Sequence, residues 1–254
     1  MKKSSMKKII WAGAFAAAAI SGSAFAGPDE YVLPARVEAG EREIDFKFGT
    51  RNMKDSSQNK NASSVGLGLG VNELWFTEVY VKFAGAPGNS TDLDAFEWEN
   101  RFQLTETGKY PVDVGFLLEI ERPQDRSEGM EVTWGPLFQA DLGQTEWIAN
   151  FLIQRNYNAT SPSAASAYYR VQGRYRLSKE FSYGFQGFGD LGTWDSWASS
   201  HQQGHRFGPA VFGKIGLDCK QAIKYNAAYL IGKTRIDGDS YSGNTFRLQM
   251  EYEF

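Results

Sequence analysis

Apolar and polar residues alternate strictly at the end of the chain. Every second residue is apolar or aromatic there: Phe246, Leu248, Met250, Tyr252 and Phe254. The residues between them are arginine, glutamine and glutamate. A period of two places the two sets on opposite faces of a β-strand. The pattern therefore predicts a terminal strand with one wholly apolar face.

The same alternation recurs in about twelve segments of roughly ten residues each, whereas helical periodicity is almost absent; such dyad segments are typical of a transmembrane β-barrel. We predict an all-β, antiparallel up-and-down barrel of about 12 strands, with 10 or 14 strands as alternatives. Three residues keep the count open. Pro136 and Pro209 fall inside two segments, where we expect a bulge or a strand end. Asn100 falls on the apolar face of another segment.

The connections between these segments alternate in length. The short ones are residues 72–73, 105–110, 142–144, 178–179 and 218–221, and the connections between them are longer and polar. Outer-membrane barrels have short periplasmic turns and longer external loops. A soluble β-sandwich also has many short strands, but it does not predict this asymmetry. An even number of strands then places both ends of the barrel in the periplasm.

The beginning of the chain predicts export. Four lysines occur among the first eight residues, an apolar run of about 14 residues follows, and small residues Ala24 and Ala26 flank Phe25. This predicts a signal peptide at 1–26, a periplasmic segment at 27–40 and the barrel at 41–254. Removing the four lysines changes the formal charge from −3 to −7, which does not favour a nucleic-acid partner. The single cysteine, Cys219, cannot form an internal disulfide.

Charged residues are expected to point into the barrel, with acids on one wall and bases on the other. The candidates that line the lumen are Glu97, Glu99, Asp113, Glu119, Glu121, Arg170, Arg174, Arg176, Lys214 and Lys224. Twelve strands give a backbone radius of roughly 11–12 Å, which long side chains largely fill. If the walls face each other across water they form a narrow or plugged pore, which we favour. If they pair, above all Glu97, Glu99, Glu119 and Glu121 with the arginines, they seal the barrel.

Candidate catalytic chemistry is sparse. The two histidines, His201 and His205, lie in one polar connection beside Ser199 and Ser200. A hydrolase needs a histidine oriented beside the serine, and adjacency in a loop is weak support for that. We therefore predict no enzyme, no catalytic residue, no cofactor and no metal site.

Two stretches resemble known proteins. The terminal strand resembles the signal that the bacterial barrel-assembly machinery recognises, which implies that Phe246, Leu248, Met250, Tyr252 and Phe254 are read by that machinery and then face outer-membrane lipid. The stretch LDAFEWENRFQLTETGKYPVDVGFLLEIE, residues 93–121, resembles a group of proteobacterial outer-membrane β-barrels, some of them described as transport components of phenol-degradation pathways. The resemblance implies a barrel in a bacterial outer membrane after export through the inner membrane.

Three functions follow from these predictions. The leading one is a narrow channel or facilitator for small polar or aromatic solutes. The alternative is a sealed structural or surface-interaction barrel with functional external loops. A lipid hydrolase with its site at the barrel rim is the third.

Overall fold

The computed structural model describes residues 27–161, 164–217 and 221–254. The predicted signal peptide with Ala24 and Ala26, and also Cys219, lie outside the described residues. Within the described part of the chain, no helix is long and apolar enough to span a membrane. The strands are β1 (Arg42–Met53), β2 (Lys60–Asn72), β3 (Trp75–Gly85), β4 (Asp92–Gln103), β5 (Asp113–Pro123), β6 (Met130–Leu142), β7 (Thr145–Tyr157), β8 (Ser166–Arg176), β9 (Ser182–Thr193), β10 (Ser196–Trp197), β11 (Gly204–Gly216), β12 (Ala222–Ile236) and β13 (Asp239–Glu253). Two single 3₁₀ turns are found at Ser56–Gln58 and Arg126–Glu128.

Twelve of these strands form a closed antiparallel ring. Each pairs with its neighbour along the chain, β9 pairs with β11, and β13 returns to pair with β1. The two-residue strand β10 pairs only with β9 and lies outside the ring. Closure leaves no open sheet edge, which is what a bilayer requires of strands that cross it. The predicted fold, a 12-strand antiparallel barrel, is confirmed.

Alternation along each strand sorts the side chains between lumen and exterior. In β1, Asp45 is 1% exposed whereas its neighbour Phe46 is 40% exposed. The apolar set points outward and the polar set points inward, as the period of two predicts.

The two prolines do not interrupt their strands. β6 runs through Pro136 and β11 runs through Pro209, and neither shows a register shift. Only local strand pairing is missing. Gly135 and Pro136 do not pair with β7, and Gly208 and Pro209 do not pair with β12. Proline lacks only its own N–H, so the ladder opens on the side that this donor would face. The expected bulge or strand end is therefore wrong at both places.

Asn100 lies on the outer face, as its position predicted, but it is 2% exposed. Its Oδ1 accepts hydrogen bonds from Trp75 Nε1 and Thr77 Oγ1, both at 3.0 Å. Trp98 Nε1 donates to the same threonine hydroxyl at 2.8 Å. Trp75 and Thr77 thus satisfy the amide oxygen, whereas the buried Nδ2 of Asn100 has no acceptor among the described residues, so part of the cost of a polar group on an apolar surface remains.

Several strands extend further than predicted at the end that carries the longer connections. β12 and β13 each have 15 residues, and only Asp237 and Gly238 join them. Both turn residues have positive φ, 52° and 87°. This is the combination that a two-residue hairpin turn needs. The polar stretch at 234–244, predicted as a long connection, is therefore mostly strand.

Candidate functional site

Residues 27–37 lie inside the barrel, and the exposed residues 38–40 lead from there to β1, whereas the sequence predicted a periplasmic segment at 27–40. We call residues 27–41 the plug. It is anchored where the short turns gather, because Gly40 N donates to Gly70 O and Gly70 N donates to Glu41 O, both at 2.8 Å. From there it runs along the lumen as irregular chain, and Leu33 and Ala35 are 0% and 1% exposed. The plug therefore fills part of the lumen.

Side-chain amides of the wall hold the plug backbone. Asn150 Oδ1 accepts from Leu33 N at 2.9 Å, and Asn150 Nδ2 donates to Leu33 O at 2.8 Å. Ala35 N and Val37 N donate to the side-chain oxygens of Gln139 and Gln103, at 3.1 and 2.8 Å. The plug is not paired with a strand, so these side-chain contacts take the place of strand-to-strand hydrogen bonds. They are needed because buried backbone groups require partners. No sequence motif indicates these contacts, and the pattern of the sequence did not predict them.

Arg36 fixes the lower part of the plug by charge. Its Nε lies 2.6 Å from Asp113 Oδ2, and its Nη1 lies 2.5 Å from Asp141 Oδ2. Asp113, a predicted lumen residue, is only 1% exposed. One guanidinium thus joins β5 and β6 to the plug through two charge-assisted bonds.

Three wall glycines make room for the plug backbone. A Cβ on Gly49 would lie 2.0 Å from Pro28 O, and one on Gly70 would lie 1.9 Å from Glu38 O. A Cβ on Gly115 would lie 2.9 Å from Ala35 O. The inner wall is therefore shaped to the plug at three heights, because only glycine leaves this space.

Replacing Gly49 with valine is expected to displace the tip of the plug, because the added side chain would overlap Pro28. Trypsin should then cleave after Arg36 at least about tenfold faster, since local release of about 1.4 kcal/mol raises the accessible population by that factor. Cleavage followed by mass spectrometry measures this. Gly216→Ala is the matched control, because a Cβ there meets nothing within 4 Å. Equal cleavage rates for both variants would contradict the close fit.

The plug packs on apolar side chains of the inner wall. Leu33 and Ala35 cluster with Leu117, Leu137 and Leu152, which belong to β5, β6 and β7. On the opposite side, Val32 clusters with a second apolar group: Ile148, Phe188, Ala210, Phe212, Ala228 and Leu230. These inward residues occupy places that alternation assigns to polar side chains. They are the sequence signal that could have revealed an occupant of the lumen.

A cavity of about 410 Å³ lies above the tip of the plug, toward the longer connections. Its charged lining is the following: Asp29, Glu30, Asp94, Glu97, Glu99, Glu119, Glu121, Asp125, Glu128 and Glu131 as acids, and Lys47, Arg51, Lys60, Lys82 and Arg170 as bases. At its rim, burial raises the pKa of Glu128, and the neighbouring Asp125 and Asp94 act in the same direction. The cavity is polar, charged and large enough for a small solute.

The acidic side of the cavity is formed by β4, β5 and β6. Lys82 Nζ lies 2.8 Å from Glu97 Oε2 and 2.5 Å from Glu121 Oε2, so one lysine compensates two predicted lumen residues. Glu99 pairs with Arg101 at 3.1 Å. Glu119 is 8% exposed and lies between these pairs.

The carboxylates on this side of the cavity lie close enough to one another to coordinate a single cation. Oxygens of Glu97, Glu99 and Glu119 lie within 4.8 Å of one another, and so do those of Glu119, Glu121 and Glu131. Oxygen-only donors of this kind suit hard cations such as Ca²⁺ or Mg²⁺. Lys82 already supplies a positive charge to Glu97 and Glu121, so a metal would compete with it.

The predicted basic residues pair with neighbouring strands and not with the far wall. Arg174 Nε and Arg176 Nη2 lie 2.6 and 2.8 Å from Glu146 on the adjacent strand β7. Arg176 also pairs with Asp141, and Lys214 pairs with Glu253 at 2.5 Å.

A separate set surrounds Lys224, which pairs with Glu41 at 2.9 Å and also with Glu251 and Glu253. The expected pairing of Arg174 and Arg176 with Glu97, Glu99, Glu119 and Glu121 is therefore absent from the described residues. Arg170 differs, because its partner is Glu30 of the plug at 3.5 Å.

Arg174→Ala is expected to lower the free energy of unfolding by about 1 kcal/mol or less, because its side chain is about one-third exposed and Arg176 still compensates Glu146. Glu146→Ala should cost about 3 kcal/mol, since it leaves two guanidinium groups without this carboxylate. Denaturant unfolding of both variants measures the difference. An equal loss for both would contradict the shared role of Glu146.

A serine and a histidine do meet at the rim. Ser199 Oγ lies 3.2 Å from His201 Nε2, but the same hydroxyl also donates to Gln202 Oε1 at 2.7 Å, and both residues are exposed. In the described part of the chain, no carboxylate bonds to His201. His205 instead stacks on Tyr169 and bonds to its hydroxyl at 2.9 Å. The contact lacks the third group that orients a catalytic histidine.

Solved structures share this fold at low sequence identity. The structure of the NanC porin aligns with 83% of this chain and 100% of its own, with a TM-score of 0.57 and 9% identity. The KdgM porin gives a TM-score of 0.55 at 9% identity, covering 84% of this chain and 99% of that one. An outer membrane channel from Pseudomonas putida F1 gives 0.54 at 10% identity, covering 90% and 100%. The fold is that of an outer-membrane porin barrel. No family model matches the sequence, and no curated protein matches it.

At this level of identity the comparisons concern architecture. They support the porin-like part of the resemblance found in the sequence. The phenol-degradation type is not confirmed by them and stays a prediction.

Proposed function

We propose that this protein is a narrow channel of the bacterial outer membrane, through which small polar or aromatic solutes pass beside or in place of its plug. The observation that carries the proposal is the charged cavity of about 410 Å³ that ends on the plug. A solute can enter this cavity, and the plug beyond it is held by non-covalent contacts only. The porin and channel neighbours support the same function at the level of fold.

The proposal includes the place and the assembly of the barrel. The N-terminal pattern supports export through the inner membrane, and the terminal alternation supports insertion by the barrel-assembly machinery. The outward apolar faces then contact outer-membrane lipid. The lumen-lining roles of the predicted residues are part of this proposal as well.

A sealed barrel is the second candidate, and one observation favours it. Leu33 is fully buried among Leu117, Leu137 and Leu152, so the plug is packed like part of a core. In that case the external connections carry the function and the lumen only supplies stability.

Conductance of the purified protein in planar bilayers tests the proposal. We expect small, discrete current steps across a range of voltages. In a salt gradient, the reversal potential should show a preference for one sign of ion. A bilayer that contains folded protein and shows no steps at any voltage would favour the sealed barrel. Heat-modifiable migration on gels serves as the control for folding.

A further inference from the structure

Three buried arginines meet on the inner wall around one threonine. Arg51 of β1 is the register partner of Thr245 in β13, and Arg247 follows two residues later on the same face. Arg206 Nη1 of β11 lies 3.5 Å from Thr245 Oγ1. The three arginines are 6%, 6% and 4% exposed, and the threonine is 0% exposed. We call Arg51, Arg206 and Arg247 the arginine cluster.

The arginine cluster has neutral partners. Arg51 Nε donates to Gln58 O at 3.2 Å, and Arg247 Nη1 donates to Gln186 Oε1 at 3.0 Å. Arg247 also lies over the ring of Phe188, and its buried Nε has no acceptor. Over residues 27–161, 164–217 and 221–254, no carboxylate oxygen lies within 4.0 Å of these three guanidinium groups. Buried positive charge without a paired anion is costly, so the cluster favours an anion nearby.

The tip of the plug supplies the nearest acids. Glu30 Oε1 lies 3.5 Å from Arg170 Nη2, and Glu30 and Asp29 both act electrostatically on Arg247. Asp190, the other acid on this side, lies 3.8 Å from Arg235. Two plug carboxylates therefore face four arginines, the cluster and Arg170, and these six side chains carry an excess of two positive charges. Asp190 also acts electrostatically on Arg206, and Glu119 and Glu99 also act on Arg170.

The cavity gives solutes access to this place. Arg51 and Arg170 line it directly, together with Asp29 and Glu30. Arg206 borders a narrow recess on the far side of Glu30. The carboxylates on β4, β5 and β6 repel an anion that enters, so the arginine side is its favoured position in the cavity. An anion contacts Arg51 and Arg170 first, and it reaches the rest of the cluster when the acidic tip moves aside.

We propose that the arginine cluster and Arg170 bind a small organic dicarboxylate, and that Asp29 and Glu30 occupy this site as a tethered counter-anion which the solute displaces. Guanidinium groups suit this ligand because each can donate two parallel hydrogen bonds to one carboxylate. The excess of two positive charges matches a dianion. The proposal depends on the proposed channel only for how the ligand arrives.

Succinate titrated into the purified, folded protein at low ionic strength, followed by calorimetry, tests this. The variant Asp29→Asn with Glu30→Gln removes the tethered competitor, whose effective concentration is in the millimolar range. We expect succinate to bind this variant at least about tenfold more tightly than the unaltered protein. Adding Arg247→Gln should weaken that binding by about tenfold or more. Arg174→Gln is the control, because Arg174 pairs with Glu146 outside the cluster and should leave binding unchanged.

Two results would overturn the proposal: no tighter binding after the acids are neutralised, or unchanged binding after Arg247→Gln in either background. If the double variant does not fold, Glu30→Gln alone and Arg247→Lys in the unaltered chain replace it. Arg247→Lys keeps the positive charge but loses the pair of parallel N–H donors of the guanidinium. Weaker binding of succinate to this variant supports the site, and equal binding rejects it. Binding in detergent without any conductance would support the site and reject the channel, whereas conductance without binding would do the reverse.

Discussion

Deleting residues 28–36 is expected to raise the single-channel conductance by about tenfold, because it removes most of the plug from a lumen whose width is set by twelve strands. The barrel itself should still close. Its closing contact, β1 with β13, involves no residue before Arg42. The wall left behind contains Asn150, Gln139 and Gln103, whose amides water can satisfy. Planar-bilayer recording of the deletion variant beside the unaltered protein measures the change.

Asn150→Leu tests the same contact without shortening the chain. Leucine has a similar size but leaves Leu33 N and Leu33 O without their partners, at about 1–3 kcal/mol for each buried group. Frequent brief openings are expected. Asn156→Leu is the matched control, since Asn156 lies on the same face of β7 and bonds to Glu128 O instead of the plug.

Conductance of the deletion variant within twofold of the unaltered protein would mean that residues 28–36 do not limit the lumen.

The strands were predictable because a bilayer and a lumen impose opposite chemistry on successive residues. The adjacent residues Asp45 and Phe46 show this, because one is buried in the lumen and the other is exposed on the outer face. The register between strands keeps like faces together. Asn100 departs from this pattern, and the two side chains that satisfy its oxygen, Trp75 and Thr77, come from the neighbouring strand β3, so their contact with it depends on pairing between strands.

The plug was not predictable from its own sequence. Residues 27–41 have no regular period, so alternation says nothing about them, and their partners are amides spread over β4, β6 and β7. The stronger signal lay in the wall. Leu117, Leu137 and Leu152 are apolar at inward positions, and a water-filled lumen does not favour leucine there.

The charges illustrate a second limit of sequence reasoning. The sequence assigned Glu97, Glu99, Glu119 and Glu121 to one wall by parity, and in the structure they line one side of the cavity. It does not determine their partners, because neighbours on adjacent strands are closer than residues across the lumen. Arg174 therefore pairs with Glu146, its register partner on β7. The plug brings further charges into the lumen, through Arg36 and Glu30.

The terminal strand closes the barrel. β13 pairs with β12 from Asp239 to Glu253 and with β1 from Gly243 to Glu253, and Phe254 N donates to Arg42 O at 3.0 Å. Met250 and Phe254 are 41% and 50% exposed on the outer face. The last strand is therefore both the seam of the barrel and part of its outward apolar surface.

Replacing Tyr252 and Phe254 with aspartate is expected to abolish assembly in the outer membrane. Each charge on the lipid face costs up to about 2 kcal/mol, and an unclosed seam leaves backbone groups of β1 and β13 without partners in a bilayer that offers none. The same two changes remove the aromatic pattern that resembles the assembly signal, and the stacked pair of rings at 5.7 Å. Cell fractionation should find the variant in the periplasm or degraded. Glu251→Gln is the control, because it alters the inward face of the same strand and should assemble normally. Full levels of heat-modifiable double variant in the outer membrane would show that neither the seam nor the machinery depends on these two rings.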